Sequence, residues 1–231
     1  MDSLIKWMKT VSFLLALIYG CYGRPQDLSG TKFIIPVETS NSFVKLTGNF
    51  SKPITAMTMC QRFFTDVQRD QSLFSLATPS NAKDINLLLQ SSGGYQLSIR
   101  GDSVIFRGMP ENRNAWISFC FTWDSKTGLN QIWANGRRSA WKILKVNGPI
   151  IGKPSIILGQ NQGSYGGGFV AFQSFTGDIT DVHFWDTMIS PCQIKLYMQG
   201  KNFIPGNSIN WQAMEFTAGE KVFEQLSDFS C

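Results

Sequence analysis

The residues best suited to chemistry lie in one stretch, residues 159–173, with the sequence GQNQGSYGGGFVAFQ. The stretch contains five glycines and four amide side chains but no charged residue. Amide oxygens and backbone carbonyls are ligands for hard cations such as Ca²⁺, but calcium loops usually contribute carboxylates as well. The stretch is therefore a metal site, the remnant of one, or a flexible turn.

Catalytic side chains are scarce. His183 is the only histidine, so any Ser-His-Asp or Cys-His arrangement would have to use it. It lies in the sequence DVHFW on a predicted strand, which indicates a structural role. A sandwich-type glycoside hydrolase would need two carboxylates across a groove, typically spaced as E-x-D-x-E, and Asp178 and Asp181 come closest without matching. We predict no enzymatic activity, and a secreted hydrolase is the least favoured hypothesis.

Residues 1–23 have the order of a secretory signal. Lys6 and Lys9 precede the apolar run VSFLLALIY, and small residues follow. The run is shorter than the roughly 20 residues that span a bilayer, and no other stretch is a candidate. We predict cleavage after Gly23, secretion, no membrane span and a single domain over residues 24–231.

The charge pattern predicts a solvated surface. The chain has a net charge of +5, and its basic residues are scattered. Nucleic-acid binding would need a denser basic stripe, so no nucleic-acid partner is expected, while anionic ligands remain open. The sequon Asn49-Phe50-Ser51 is a predicted glycan acceptor in a secreted chain.

The cysteines predict disulfides. Cys21 lies in the predicted signal, which leaves Cys60, Cys120, Cys192 and Cys231. An even number in an oxidising compartment indicates pairing. Their wide spacing argues against a four-cysteine zinc site.

The elements that would position these residues are short β-strands. Residues 95–100 and 103–107 alternate around Gly101-Asp102, which predicts a two-residue hairpin. The dipeptide Asn135-Gly136 predicts another hairpin turn. Residues 116–123 also alternate, with Ile117, Phe119, Phe121 and Trp123 on one face and Trp116, Ser118, Cys120 and Thr122 on the other.

One segment predicts a helix. Ser190 can cap its start, Pro191 suits its first position, Gln193 stands three residues after the cap, and Gly200 can end it. Many short strands with one short helix predict an all-β fold, a jelly-roll sandwich or barrel.

Residues 118–125, SFCFTWDS, resemble the signature of the pentraxin family, H-x-C-x-[ST]-W-x-[ST]. Ser118 stands in place of the histidine, and Cys120, Thr122, Trp123 and Ser125 match. Other segments follow in the family's order: FIIP from residue 33, KP from 52, FSLAT from 74, SIILGQ from 155, GDI from 177, WD from 185, SP from 190 and NW from 210. The chain is similar to the short members of this family over nearly all of residues 24–231.

The resemblance implies a flattened, lectin-like jelly-roll sandwich of two antiparallel sheets with one helix, assembled into a homo-oligomer, normally a disc-shaped pentamer. Family members bind phosphocholine, phosphoethanolamine or carbohydrates through two calcium ions on one face. They engage complement and Fc receptors through the other face. The family's intrachain disulfide falls on Cys60 and Cys120. Cys192 and Cys231 then remain, to be joined between chains or, as we favour, within one chain.

In the family, the opening stretch is the calcium loop. Its ligand positions fall on Asn161, Gln162, Gly163, Val170 and Gln173, with two more on Ala82 and Lys83. Acidic residues are usual at positions 161, 163 and 170, and only Gln162 and Gln173 keep the expected chemistry. A degenerate site would consist of Asn161, Gln162, Gln173 and Asp84. Because calcium affinity follows the charge and number of the ligands, we predict that calcium binding is weak or lost.

The phosphocholine contacts implied by the resemblance are altered as well. The aromatic residue that packs against choline falls on Leu88, which has no π face for a cation. The acidic residue that balances the ammonium falls near Ser103. Choline recognition of the usual kind is not expected.

Lys83 suggests a substitute for the metal. Its ammonium could donate hydrogen bonds to the amide oxygens of the loop, with Asp84 balancing the charge. The alternative is that Lys83 points into water.

These observations predict a secreted, non-enzymatic recognition protein of innate-immune type with carbohydrate or anionic ligands and a changed mode of binding. The alternative is a calcium-independent structural or carrier pentraxin that binds protein partners through surface patches.

Overall fold

The computed structural model describes residues 25–227; the predicted signal segment and Cys231 lie outside them. The described chain contains fifteen strands and one α-helix, α1 (Pro191–Met198). The strands are β1 (Thr31–Ile35), β2 (Val44–Thr47), β3 (Ala56–Phe64), β4 (Gln71–Thr78), β5 (Asn81–Leu89), β6 (Tyr95–Ile99), β7 (Asp102–Phe106), β8 (Ile117–Asp124), β9 (Leu129–Ala134), β10 (Arg137–Arg138), β11 (Lys142–Ile143), β12 (Ser155–Leu158), β13 (Gly177–Trp185), β14 (Glu215–Ala218) and β15 (Phe223–Leu226).

The strands form two antiparallel sheets. The first has the order β10-β9-β8-β3-β13-β1-β15, and β11 also pairs with β9. The second has the order β14-β2-β12-β4-β5-β6-β7. Strands that are adjacent in a sheet, such as β1 and β13, are distant in sequence. The chain therefore passes repeatedly from one sheet to the other. The predicted all-β sandwich of two antiparallel sheets with a short helix is confirmed for the described residues.

The alternation of residues 116–123 determines which face of β8 is buried between the sheets. Ile117, Phe119, Phe121 and Trp123 belong to the central core, as predicted. Cys120 lies on the opposite face, in a second apolar cluster that α1 covers. There it pairs in register with Cys60 of β3, and the two form the predicted disulfide.

The hairpin turns follow their local sequence, with one correction. Asn135 and Gly136 connect β9 to β10 with positive φ, as predicted. The β6–β7 turn consists of Arg100-Gly101 rather than Gly101-Asp102, because Ile99 pairs with Asp102. Both turn residues have positive φ, which a type I′ turn requires and which the right-handed twist of the strands favours.

Helix α1 is stabilised by its predicted cap. The Ser190 hydroxyl accepts a hydrogen bond from the Gln193 amide, Pro191 occupies the first turn, and Gly200 follows the helix with a φ of 64°. Tyr197 and Ile194 are its buried residues, and they pack over the Cys60–Cys120 disulfide. Within residues 25–227 no helix is long and apolar enough to cross a membrane.

Candidate functional site

The glycine-rich loop follows β12 and folds back over the outer face of the second sheet. Ile156 and Leu158 are in the core, so Ser155 points outwards. Buried Gln162 donates hydrogen bonds to the Ser155 carbonyl at 3.0 Å and to Ser75 Oγ at 3.3 Å. Its Oε1 accepts from the Gly166 amide at 2.9 Å. Gln162 therefore fastens the loop to the sheet.

Two of the predicted calcium ligands bind each other. Asn161 Nδ2 donates to Gln173 Oε1 at 2.9 Å. This hydrogen bond closes the loop across its two arms and occupies the Gln173 oxygen that a metal would need. Val170 and Gly163, at two positions where the family resemblance implies acidic side chains, offer no side-chain oxygen. The donor set therefore does not fit a calcium ion.

The tip of the loop is a tight hairpin. Ser164 and Gly167 pair in an isolated bridge, and the Gly163 amide donates to the Gly167 carbonyl at 3.0 Å. A Cβ at Gly163 would lie 2.6 Å from the Gly168 carbonyl oxygen. Glycine is needed here because the two arms approach more closely than a side chain permits.

Arg69 holds the second arm of the loop, and the sequence contained no signal for this role. Its guanidinium donates to the carbonyls of Phe172 and Ser174, and to Thr176 Oγ1 at 2.7 Å. Glu38 lies 3.3 Å from Arg69 Nε and balances the charge. Burial lowers the pKa of Arg69, and the negative charge of neighbouring Glu38 offsets part of this decrease.

Lys83 does not take the place predicted for the metal substitute. Its side chain is exposed, and its ammonium forms no hydrogen bond with the loop in residues 25–227. Asp84, expected to balance Lys83, is buried instead. It accepts from Thr78 Oγ1 at 2.5 Å and lies 3.6 Å from Arg100 Nε. Arg69, which lies just before β4, contacts the loop backbone instead.

His183 is a structural residue of the first sheet, as predicted. The Gly206 amide donates to its Nδ1 at 3.3 Å, so its Nε2 carries the proton and donates to Asp181 at 3.2 Å. Arg62 also binds Asp181 at 2.9 Å. Burial alone raises the pKa of Asp181, but His183 and Arg62 together bring it below the ordinary value.

The other predicted site residues are dispersed. Leu88 is buried on β5 and Ser103 is exposed on β7, both in the second sheet. Asn49 is exposed, as a glycan acceptor must be. Cys192 is exposed on α1 and forms no disulfide with another residue of the described chain.

Comparison with known proteins establishes the family. The Pentaxin family model matches residues 31–225. The chain is 38% identical to C-reactive protein from Sus scrofa over 197 residues, which cover 85% of this chain and 87% of that protein. The chain belongs to the pentaxin family. It is also 33% identical to serum amyloid P-component from Cavia porcellus over 222 residues, or 96% of each chain.

The fold comparison agrees with this pentraxin assignment. The structure resembles a heptameric SAP-like pentraxin from Limulus polyphemus with a TM-score of 0.77 and 20% sequence identity. The match covers 87% of this chain and 97% of that one. The two-sheet sandwich is therefore the lectin-like jelly roll that the sequence resemblance implied.

Proposed function

We propose that this pentraxin is a secreted, non-enzymatic, oligomeric recognition protein of innate-immune type that binds its ligands without calcium. The family assignment supports the recognition role. The observation that carries the loss of calcium is the Asn161–Gln173 hydrogen bond.

The chemistry of the loop supports this proposal. Ca²⁺ takes six to eight oxygen ligands, and its affinity rises with the number of charged ones. The loop has no carboxylate between residues 159 and 173. Asp84, the carboxylate of the predicted degenerate site, is already engaged by Thr78 and Arg100. Internal hydrogen bonds and the Arg69 guanidinium perform the organising role that a metal would otherwise have.

Calcium titration tests the proposal. We expect no heat of binding and no rise in melting temperature in millimolar calcium. A variant with the family's calcium ligands restored should show both a heat of binding and a rise in melting temperature. It combines Ala82→Asp, Lys83→Asn, Asn161→Glu and Val170→Glu. Binding by the natural chain with a Kd below about 100 µM, the range of many sensor sites, would contradict the proposal.

The alternative role, a structural or carrier pentraxin, is favoured by exposed apolar side chains away from the loop. Val146 and Ile151 are examples. Retention of the protein by phosphocholine or polysaccharide resins in EDTA supports ligand recognition. Binding to proteins alone supports the carrier role.

A further inference from the structure

A groove lies on the outer face of the first sheet beside the end of α1, and we call it the helix-side groove. Its volume is about 550 Å³, within the roughly 300–1,000 Å³ of pockets that hold ligands. Its lining combines aromatic, apolar and charged side chains with the last residue of the described chain; the main members are Arg62, Asp181, Met198, Phe203, Trp211 and Ser227.

The interior of the helix-side groove suits an aromatic side chain. Phe203 contacts Tyr197 edge-on, with ring centroids 5.1 Å apart. The Arg62 guanidinium lies 5.0 Å from the centre of the same Tyr197 ring and binds Asp181 at 2.9 Å. Aromatic pairs at such distances stabilise one another beyond simple burial, and guanidinium groups attract ring faces.

The register of the strands directs the end of β15 towards this groove. Gln225 pairs with Lys32, Lys32 pairs with Thr180, and Thr180 pairs with Arg62. Side chains that are paired across neighbouring strands point to the same face of a sheet. Gln225 therefore points to the face that carries Arg62 and Thr180, both of which line the groove.

The residues after Gln225 follow the same alternation. Ser227 is buried and lines the groove, and its amide donates to the Gly30 carbonyl at 2.6 Å. Because strand side chains alternate with a period of two, an extended continuation points Phe229 and Cys231 to this face as well. Helix α1, which carries Cys192, covers the same face.

The residues that follow Ser227 have the sequence Asp-Phe-Ser-Cys, residues 228–231. Four extended residues span at most about 14 Å, so this segment stays close to the groove in which Ser227 lies. A phenylalanine kept in water beside an aromatic groove would be unfavourable. The position and the sequence of the segment therefore identify it as an occupant.

We propose that residues 228–231 cover the helix-side groove of their own chain, with Phe229 packed against Met198 and Phe203. The cover keeps the aromatic wall and the Arg62–Asp181 pair from other partners, and its removal opens a binding surface. This inference goes beyond the proposed function and does not depend on calcium.

Thiol accessibility in the full-length secreted protein tests the inference. Met198→Cys places a thiol on the groove wall, and Cys192→Ser with Cys231→Ser removes the competing thiols. With the natural Phe229, we expect slow alkylation of the introduced thiol. Phe229→Ser should raise the alkylation rate about tenfold, as expected for the release of one partly buried aromatic side chain.

Two controls separate cover of the groove from general effects. Lys195 is exposed on the same helix and is absent from the groove lining, so Phe229→Ser should not change the alkylation rate of Lys195→Cys. Phe172 is an exposed phenylalanine of the glycine-rich loop, so Phe172→Ser should not change the alkylation rate of Met198→Cys.

A cross-link identifies the chain that supplies the cover. In the same background without Cys192 and Cys231, mild oxidation of a protein with Met198→Cys and Phe229→Cys should join these two positions within one chain. Peptide mapping should recover the linked pair, and non-reducing electrophoresis should give a single chain.

The remaining outcomes overturn the inference. If Phe229→Ser leaves the alkylation of Met198→Cys unchanged, or accelerates Lys195→Cys as well, the segment does not shield the groove in particular. Cross-linked dimers instead of a single chain would show that a second copy supplies the cover. None of these results bears on calcium independence, which the calcium titration tests separately.

Discussion

Arg69 lies just before β4 and Lys83 lies near the start of β5, and the two side chains have opposite surroundings. Arg69 contributes hydrogen bonds to two loop carbonyls and to Thr176, whereas the Lys83 side chain is exposed. A partly buried cation that binds backbone carbonyls constrains the loop, and an exposed one does not.

Removing these two cations should therefore have different effects. We expect Arg69→Gln to lower the free energy of unfolding by about 1–3 kcal/mol, the usual cost of losing charge-assisted hydrogen bonds, and to increase proteolytic cleavage within residues 163–172. Lys83→Ala should leave the cleavage pattern unchanged. Greater loop cleavage in Lys83→Ala than in Arg69→Gln would restore the lysine hypothesis.

Asp181 makes stability depend on pH. Its native pKa lies below the ordinary value of 3.8. Its contribution is fully present above the unfolded pKa and is lost as pH falls through the native pKa. Asp181→Asn should destabilise the protein by about 3 kcal/mol near neutral pH, because Arg62 and His183 lose their carboxylate partner.

Chemical denaturation between about pH 5 and pH 3 measures this effect. The unfolding free energy of Asp181→Asn should decline less steeply on acidification than that of the natural chain. Asp66→Asn, which alters an exposed carboxylate, should leave the slope unchanged. Equal slopes for the natural chain and Asp181→Asn would show that the ion pair does not couple stability to pH.

At the scale of elements, the Cys60–Cys120 disulfide joins two neighbouring strands on the face that α1 covers. The helix carries Cys192 near its start, and this thiol is exposed. An exposed unpaired thiol is a liability in an oxidising compartment.

We therefore expect an intrachain disulfide between Cys192 and Cys231, linking the helix to the C-terminal tail. Peptide mapping without reduction should recover this pair, and non-reducing electrophoresis should give a single chain. Cys192→Ser should also migrate as a single chain under these conditions, because it loses only a link within the chain. A ladder of covalent oligomers that Cys192→Ser removes would instead show pairing between chains.

At the scale of the whole molecule, both edges of the first sheet carry exposed apolar side chains. Trp141 and Ile143 lie beside β9 at one edge, and Phe223 and Leu226 lie on β15 at the other. Exposed apolar edge strands readily pair with further chains. Contact between unlike edges is head-to-tail, and it closes into a ring when the rotation permits.

The family resemblance implies a ring of about five copies, and we predict that contact between these edges closes it. Light scattering should find that ring at micromolar concentration, and Ile143→Asp should release monomers because it places a charge in an apolar contact. Ile204→Asp, on an equally exposed residue away from both edges, should leave the ring intact. A monomeric natural chain would refute the assembly, and a ring of another size would correct only its count.

The sequence by itself determined the features that depend on neighbouring residues. Alternation in residues 116–123 predicted the core face of β8, Asn135-Gly136 predicted a turn, and Ser190 predicted the helix start. The family signature added the sandwich and the Cys60–Cys120 pair. Only the tertiary structure assigned Arg69 to the loop, Arg100 to Asp84, and Asn161 to Gln173. The physical reason is that the local sequence does not single out one partner for a polar side chain. The register of the sheets decides which distant group it meets.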